Sequence, residues 1–221
     1  MIERRQFTAG LFFPAAFPAW ALTETEAASG VRAALERGAL AAVSVLGRSD
    51  GFLGNPQVRI PLPGFLNDAA RLMRATGQGR KVAALVTAMN RAAEAAVPMA
   101  RPIFVSAVKA ISVEDAVKVV RGGATSVTDF FVGKTRSPLS EKFLPIVTQA
   151  TQKVKLAERY NAVAGKAAGL GLVKGPEANV QEYVTVKALD GLFWMIGEEE
   201  KKIRADPLKT GSAILKKVFG G

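Results

Sequence analysis

Apolar residues recur at spacings of three and four along nearly the whole chain beyond residue 22, and this periodicity limits the fold more than any other feature. An α-helix turns about every 3.6 residues, so this spacing lays an apolar stripe along one face. A half-buried strand would alternate instead. Val31, Leu35, Ala39, Ala42 and Leu46 make one stripe. Val82, Val86 and Met89 make a second, and Leu189, Leu192, Ile196 and Ile203 a third. Most of the apolar content is Ala, Val and Leu, and Ala and Leu are strong helix formers. Of 221 residues 49% are hydrophobic, enough to fill a core. The reading is all-α: a single multi-helix domain over 22–221.

Caps and breakers divide the pattern. Thr23 with Glu26 has the spacing of a capping box and opens a helix that Gly47 ends after Leu46. Residues 47–63 form the longest non-helical stretch. Asp50-Gly51 and Asn55-Pro56 are turn signals in it, and residues 57–60 alternate like a short strand. One lone strand cannot make a sheet, so 47–63 reads as an extended loop packed on helices. Helices are expected over 65–76, 80–97 and on to Ile111, with Pro98 and Pro102 kinking or dividing the run. Ser112 with Asp115 opens another, closed by Gly122-Gly123, and 129–134 reads as a short piece. Ser137-Pro138 predicts a fresh start, because Pro is tolerated at the first helical position. A helix over 156–170 follows. Asn179 with Glu182 opens the longest, to about Arg204, and a basic amphipathic helix ends the chain after Pro207.

Residues 1–21 stand apart. Arg4 and Arg5 precede an apolar stretch from Phe7 to Trp20, and Ala19-Trp20-Ala21 has small-x-small spacing. This is the pattern of a signal peptide, removed on export. Arg4-Arg5-Gln6-Phe7 resembles the twin-arginine motif, with Sec export as the other route. Pro14 and Pro18 and the short length argue against a transmembrane helix, and no later segment has the apolar length to span a bilayer. A periplasmic location is expected.

Several strings resemble one family. GFLGNPQVRIPLP (51–63), MNRAAEAAVPMARPIFV (89–105), KFLPIV (142–147), YNAVAGKAA (160–168), KALDGLF (187–193) and GSAILKKVFG (211–220) are similar to the exported Gram-negative family catalogued as domain of unknown function 4197. The resemblance covers nearly all of the chain after residue 21. It implies a helical fold and an envelope location and supplies no activity.

The chain holds no His and no Cys. Structural zinc sites, thiol nucleophiles, Ser-His-Asp triads, disulfides and a lipoprotein anchor are thereby excluded within it. Gly133-Lys134-Thr135 looks like the end of a phosphate loop, but Thr128 stands where the first Gly belongs. Gly169-Leu170-Gly171 starts a dinucleotide pattern, but Lys174 occupies its third Gly position and a helix precedes it. No cofactor or metal is expected.

Asn90 and Glu94 lie four apart beside the core stripe of an Ala-rich helix, so they share a face. A half-buried carboxylate there needs a partner, for which Arg101 and Lys109 are candidates. Asp190, between Leu189 and Phe193, raises the same question, with Lys187 or Arg136 as partners. Asn90, Glu94, Arg101 and Asp190 are the candidate ligand-binding residues. The bland alternative, structural ion pairs fixing helix register, is favoured for each. Net charge is +11, which suits acidic partners. Scattered basic residues without interleaved aromatics argue against nucleic acid. The functional expectation is therefore a periplasmic protein binding a lipid or other amphiphile. The alternative is an interaction or structural role with an envelope protein partner. Enzymatic activity ranks below both.

Overall fold

The computed structural model of the protein describes residues 24–120, 122–152 and 154–206. Among these residues the fold is all-α, with eight helices and no strand. They are α1 (Glu24–Leu46), α2 (Asn67–Ala75), α3 (Gly79–Ala96), α4 (Ala100–Lys109), α5 (Val113–Val120), α6 (Ser126–Gln152), α7 (Lys155–Gly169) and α8 (Val180–Ala205). Short 3₁₀ turns precede α2, α4 and α8. The signal segment expected over 1–21, the cap expected at Thr23 and the amphipathic helix expected after Pro207 lie outside the described residues. No helix among the described residues is long and apolar enough to cross a membrane.

Helix α8 is the hub and packs on α1, α3, α6 and α7. Val184, Ala188, Leu189, Leu192 and Ile196 are buried, and so are Tyr183, Phe193 and Met195 on other faces. A helix apolar on most of its circumference has to be surrounded. Asn179 caps it as its sequence predicts, accepting hydrogen bonds from Gln181 N at 2.8 Å and Glu182 N at 3.2 Å. At the centre Phe104 meets Phe131 and Phe193, with ring centroids 4.7 and 6.3 Å apart.

The segment over 126–152 departs from expectation. It is one continuous helix, not a short piece followed by a new start at Ser137-Pro138. Pro138 and Pro145 both lie inside it. An interior proline costs roughly 3 kcal/mol because one backbone hydrogen bond is lost and the ring crowds the preceding turn. Here both rings face solvent, as do Lys134 and Glu141, whose carbonyls lose their partners. On an exposed face such carbonyls are free to tilt toward water. The opposite face buries Phe131, Leu139, Phe143 and Val147, packed on α3 and α8. At about 1.5–3 kcal/mol for each large side chain, this stripe outweighs the prolines. Pro98 and Pro102 behave as expected. Pro98 sits in the 3₁₀ turn Val97–Met99, and Pro102 in the first turn of α4, where its missing N–H has no helical partner to lose.

Residues 47–63 form the expected extended loop, laid across α3 and α8. Turn hydrogen bonds hold it, including Gly51 N to Arg48 O at 3.0 Å and Arg59 N to Asn55 O at 2.9 Å. Asp50 sits at φ 63°, a conformation Asp tolerates better than most residues. A Cβ on Gly51 would lie 2.5 Å from the Leu46 carbonyl oxygen, so the chain reverses there only with glycine. Phe52, Val58 and Ile60 point inward and are buried.

Candidate functional site

Asn90 and Glu94 are buried on α3, at 0% and 4% exposure, and both face the loop. The Asn90 amide accepts from Ile60 N at 2.9 Å and donates to Ile60 O at 2.9 Å, which is the pairing of one strand residue with another. Its remaining N–H reaches Val86 O at 2.8 Å. Glu94 Oε1 accepts from Phe52 N at 3.0 Å and Leu53 N at 3.1 Å. Its Oε2 takes Arg91 Nη1 at 2.7 Å. The Arg91 guanidinium also reaches Asp50 Oδ1 and Ser49 Oγ, each at 2.8 Å. The hydrogen bond to Glu94, opposed by partial burial and then helped by both carboxylates, raises the Arg91 pKa and keeps the side chain charged. These polar groups thus do the hydrogen bonding that a second strand would do, and so a loop without a sheet can be pinned to a helix.

The ion pair of Glu94 corrects one expectation. Its partner is Arg91, one turn earlier, and neither Arg101 nor Lys109. Arg101 follows the 3₁₀ turn at 97–99, is exposed on α4 and makes no ion pair among the described residues. Asp190 does pair with Arg136, at 2.5 Å, and lies 4.0 Å from Lys187. Both acceptor and donor are about two-fifths exposed, so solvent screens the pair. Asp190 borders a hollow of about 440 Å³ between α8 and the loop, with Arg59, Tyr183, Lys187 and Trp194. Asn90 and Glu94 lie beneath the loop, and Arg101 joins neither group. The candidate residues do not form one site.

A more apolar cavity lies elsewhere. Helices α2, α3 and α7 line a half-open hollow of about 230 Å³ with the end of the loop. Its walls are Leu62, Leu66, Ala70 and Met73 on one side and Val82, Leu85, Tyr160 and Val163 on the other. Arg159 is the one charged residue among the lining side chains. It is exposed and makes no ion pair among the described residues. The Tyr160 hydroxyl donates to Glu177 O at 2.8 Å, so the ring presents carbon to the cavity, and Phe65 meets it edge-on at 5.9 Å. Burial pushes the Tyr160 phenol far above its ordinary value and the Tyr183 phenol to about 12.

The family model described as a protein of unknown function, DUF4197, matches residues 21–220. The chain belongs to that family. No curated protein and no solved structure matches it. In this DUF4197 member the geometry of the chain itself is what bears on function. Sequence patterning missed the cavity because its walls come from three helices and a loop. The local trace is the spacing of Leu66, Ala70 and Met73, which makes α2 amphipathic. A further hollow of about 440 Å³ between α4 and α6 mixes Ile103 and Phe130 with Asp115 and Lys134.

Proposed function

We propose that this protein binds a single-chain amphiphile with an acidic headgroup in the cavity between α2, α3 and α7. The observation that carries the reading is an apolar hollow whose lining holds one cation, Arg159, with no ion-pair partner among the described residues. Small-molecule sites are usually apolar clefts with few placed polar groups. The hollow is small, which favours an acyl chain end over a ring system. Each methylene moved from water into it contributes about 0.8 kcal/mol. The Arg159 guanidinium would hold a carboxylate or phosphate by two parallel hydrogen bonds. Asn90 and Glu94 enter as positioning residues, since they pin the loop that supplies Leu62. Asp190 and Arg101 have no part in it.

The periplasm is the compartment we propose. The charged-then-apolar pattern of 1–21 supports it, and the family match starts at residue 21, so residues 1–20 fall outside the matched region.

Titration with a fluorescent fatty acid tests the reading. Ala69 and Val163 line the cavity yet are exposed, so Ala69→Trp or Val163→Trp fills it without emptying the core. Either should weaken binding at least about tenfold, the effect of excluding two methylenes. Arg159→Gln should weaken a carboxylate ligand several-fold and leave its alcohol analogue unchanged. Unaltered binding in both filled variants would refute the site.

A further inference from the structure

Helix α7 ends in a turn whose hydrogen bonds are satisfied by the backbone alone. Gly171 N donates to Ala168 O at 2.9 Å and Leu172 N to Ala167 O at 2.9 Å, with Gly171 at φ 73°. This is the paired closing pattern of a Schellman motif. In that motif the residue in the place of Leu172 normally folds back onto the helix. Here Leu172 and Leu170 are each 76% exposed, while Val173 between the turn and the next segment is 5% exposed. The turn is anchored by Val173 and holds both leucines outward. Val163, about two turns earlier on the same face as Leu170, is also exposed and lines the amphiphile cavity. Across that cavity α2 exposes Leu72.

A basic frame surrounds this apolar edge. Over 155–174 the chain carries Lys155, Arg159, Lys166 and Lys174 against Glu158. Over 67–81 it carries Arg71, Arg74, Arg80 and Lys81 against Asp68. Lys155, Arg159, Lys166 and Lys174 make no ion pair among the described residues. A second copy of the chain would bring two such frames together, and like charges disfavour that. An anionic bilayer accepts both components. Leucines enter the acyl boundary and lysines meet the headgroups.

We infer that the α7 turn, Leu170 and Leu172 with Lys166 and Lys174, docks this protein on an anionic lipid surface. The inference extends the amphiphile reading by naming where the ligand is collected, but it stands on separate residues. Each basic residue near such a leaflet strengthens association about fivefold, and each leucine that enters it about tenfold.

The chain has no cysteine, so Leu172→Cys gives a unique thiol for an environment-sensitive fluorophore. Phosphatidylglycerol vesicles should shift its emission to the blue and raise it several-fold. Phosphatidylcholine vesicles should not. Salt near 1 M, where the screening length is about 3 Å, should reverse most of the change. Adding Leu170→Ser or Lys174→Glu should weaken the response about tenfold and about twentyfold respectively. The idea fails if no shift occurs, if both vesicle types act equally, or if the same label at Ala124→Cys on the α5–α6 turn responds equally. It also fails if the shift grows with protein concentration in the absence of vesicles, which would mean self-association. Ala69→Trp should keep the vesicle response while losing fatty-acid binding. A parent protein that binds fatty acid without responding to vesicles overturns this inference alone, and one that responds to vesicles without binding fatty acid overturns the cavity reading alone.

Discussion

Replacing Glu94 with alanine removes the acceptor for two loop amides and the partner of Arg91. The two amide bonds, Phe52 N at 3.0 Å and Leu53 N at 3.1 Å, end on a carboxylate that is 4% exposed. Hydrogen bonds to charged groups contribute about 1.5–3 kcal/mol each. The Phe52 amide is buried and stays unsatisfied in the variant, whereas the Leu53 amide is only partly buried and water reaches it. We therefore expect Glu94→Ala to cost about 3–4 kcal/mol. For a chain of this size that lowers the Tm by roughly 10 °C. Glu94→Gln keeps an oxygen for both amides and loses only the bridge to the half-exposed Arg91, so its loss should be less than half as large. Thermal melts followed by circular dichroism give both numbers. Equal losses in the two variants would show that the amide bonds do not hold the loop. A loss below about 0.5 kcal/mol for Glu94→Ala would refute the reasoning altogether.

Other outcomes follow from the same packing. A Cβ on Gly191 would sit 2.9 Å from the Phe52 ring and 3.1 Å from Val58 Cβ. Gly191→Ala should thus destabilise by about 1 kcal/mol in urea titration, although alanine is the better helix former by roughly that amount. Asp190→Asn, which breaks a screened pair, should stay within about 1 kcal/mol of the parent in the same assay. The two tyrosines both have raised phenol pKa values, Tyr183 to about 12. Because the unfolded phenols ionise near pH 10 and the folded ones do not, their contribution is full below pH 10 and is lost as pH rises toward 12. Absorbance at the phenolate band should therefore stay low at pH 10–11 and rise together with unfolding. Phenolate appearing at pH 10 in the folded protein would count against the burial of both rings.

The fold was legible wherever local signals and tertiary packing agree. Stripes such as Val31 to Leu46 and the Asn179 cap specify their helices without help from the rest of the chain. Ser137-Pro138 was misleading because it is a genuine local start signal that the buried stripe from Phe131 to Val147 overrides, and such a stripe matters only once α3 and α8 are in place. The polar pair on α3 was legible as a pair, and its partner was not. Asn90 and Glu94 bond to main-chain atoms of residues 52–60, which leave no side-chain signature. Arg136 with Asp190 was legible because ion pairs join side chains of opposite charge. The cavity was invisible for a different reason. Leu62, Met73, Leu85 and Val163 each look like ordinary core residues, and only the spacing between three helices leaves a gap among them.

Native mass spectrometry of the protein recovered from the envelope tests the central claim most directly. The account predicts a stoichiometric adduct that extracts into organic solvent as an acidic amphiphile and is missing from Ala69→Trp. A bare mass for the parent, unchanged after fatty acid is added in excess, would contradict it.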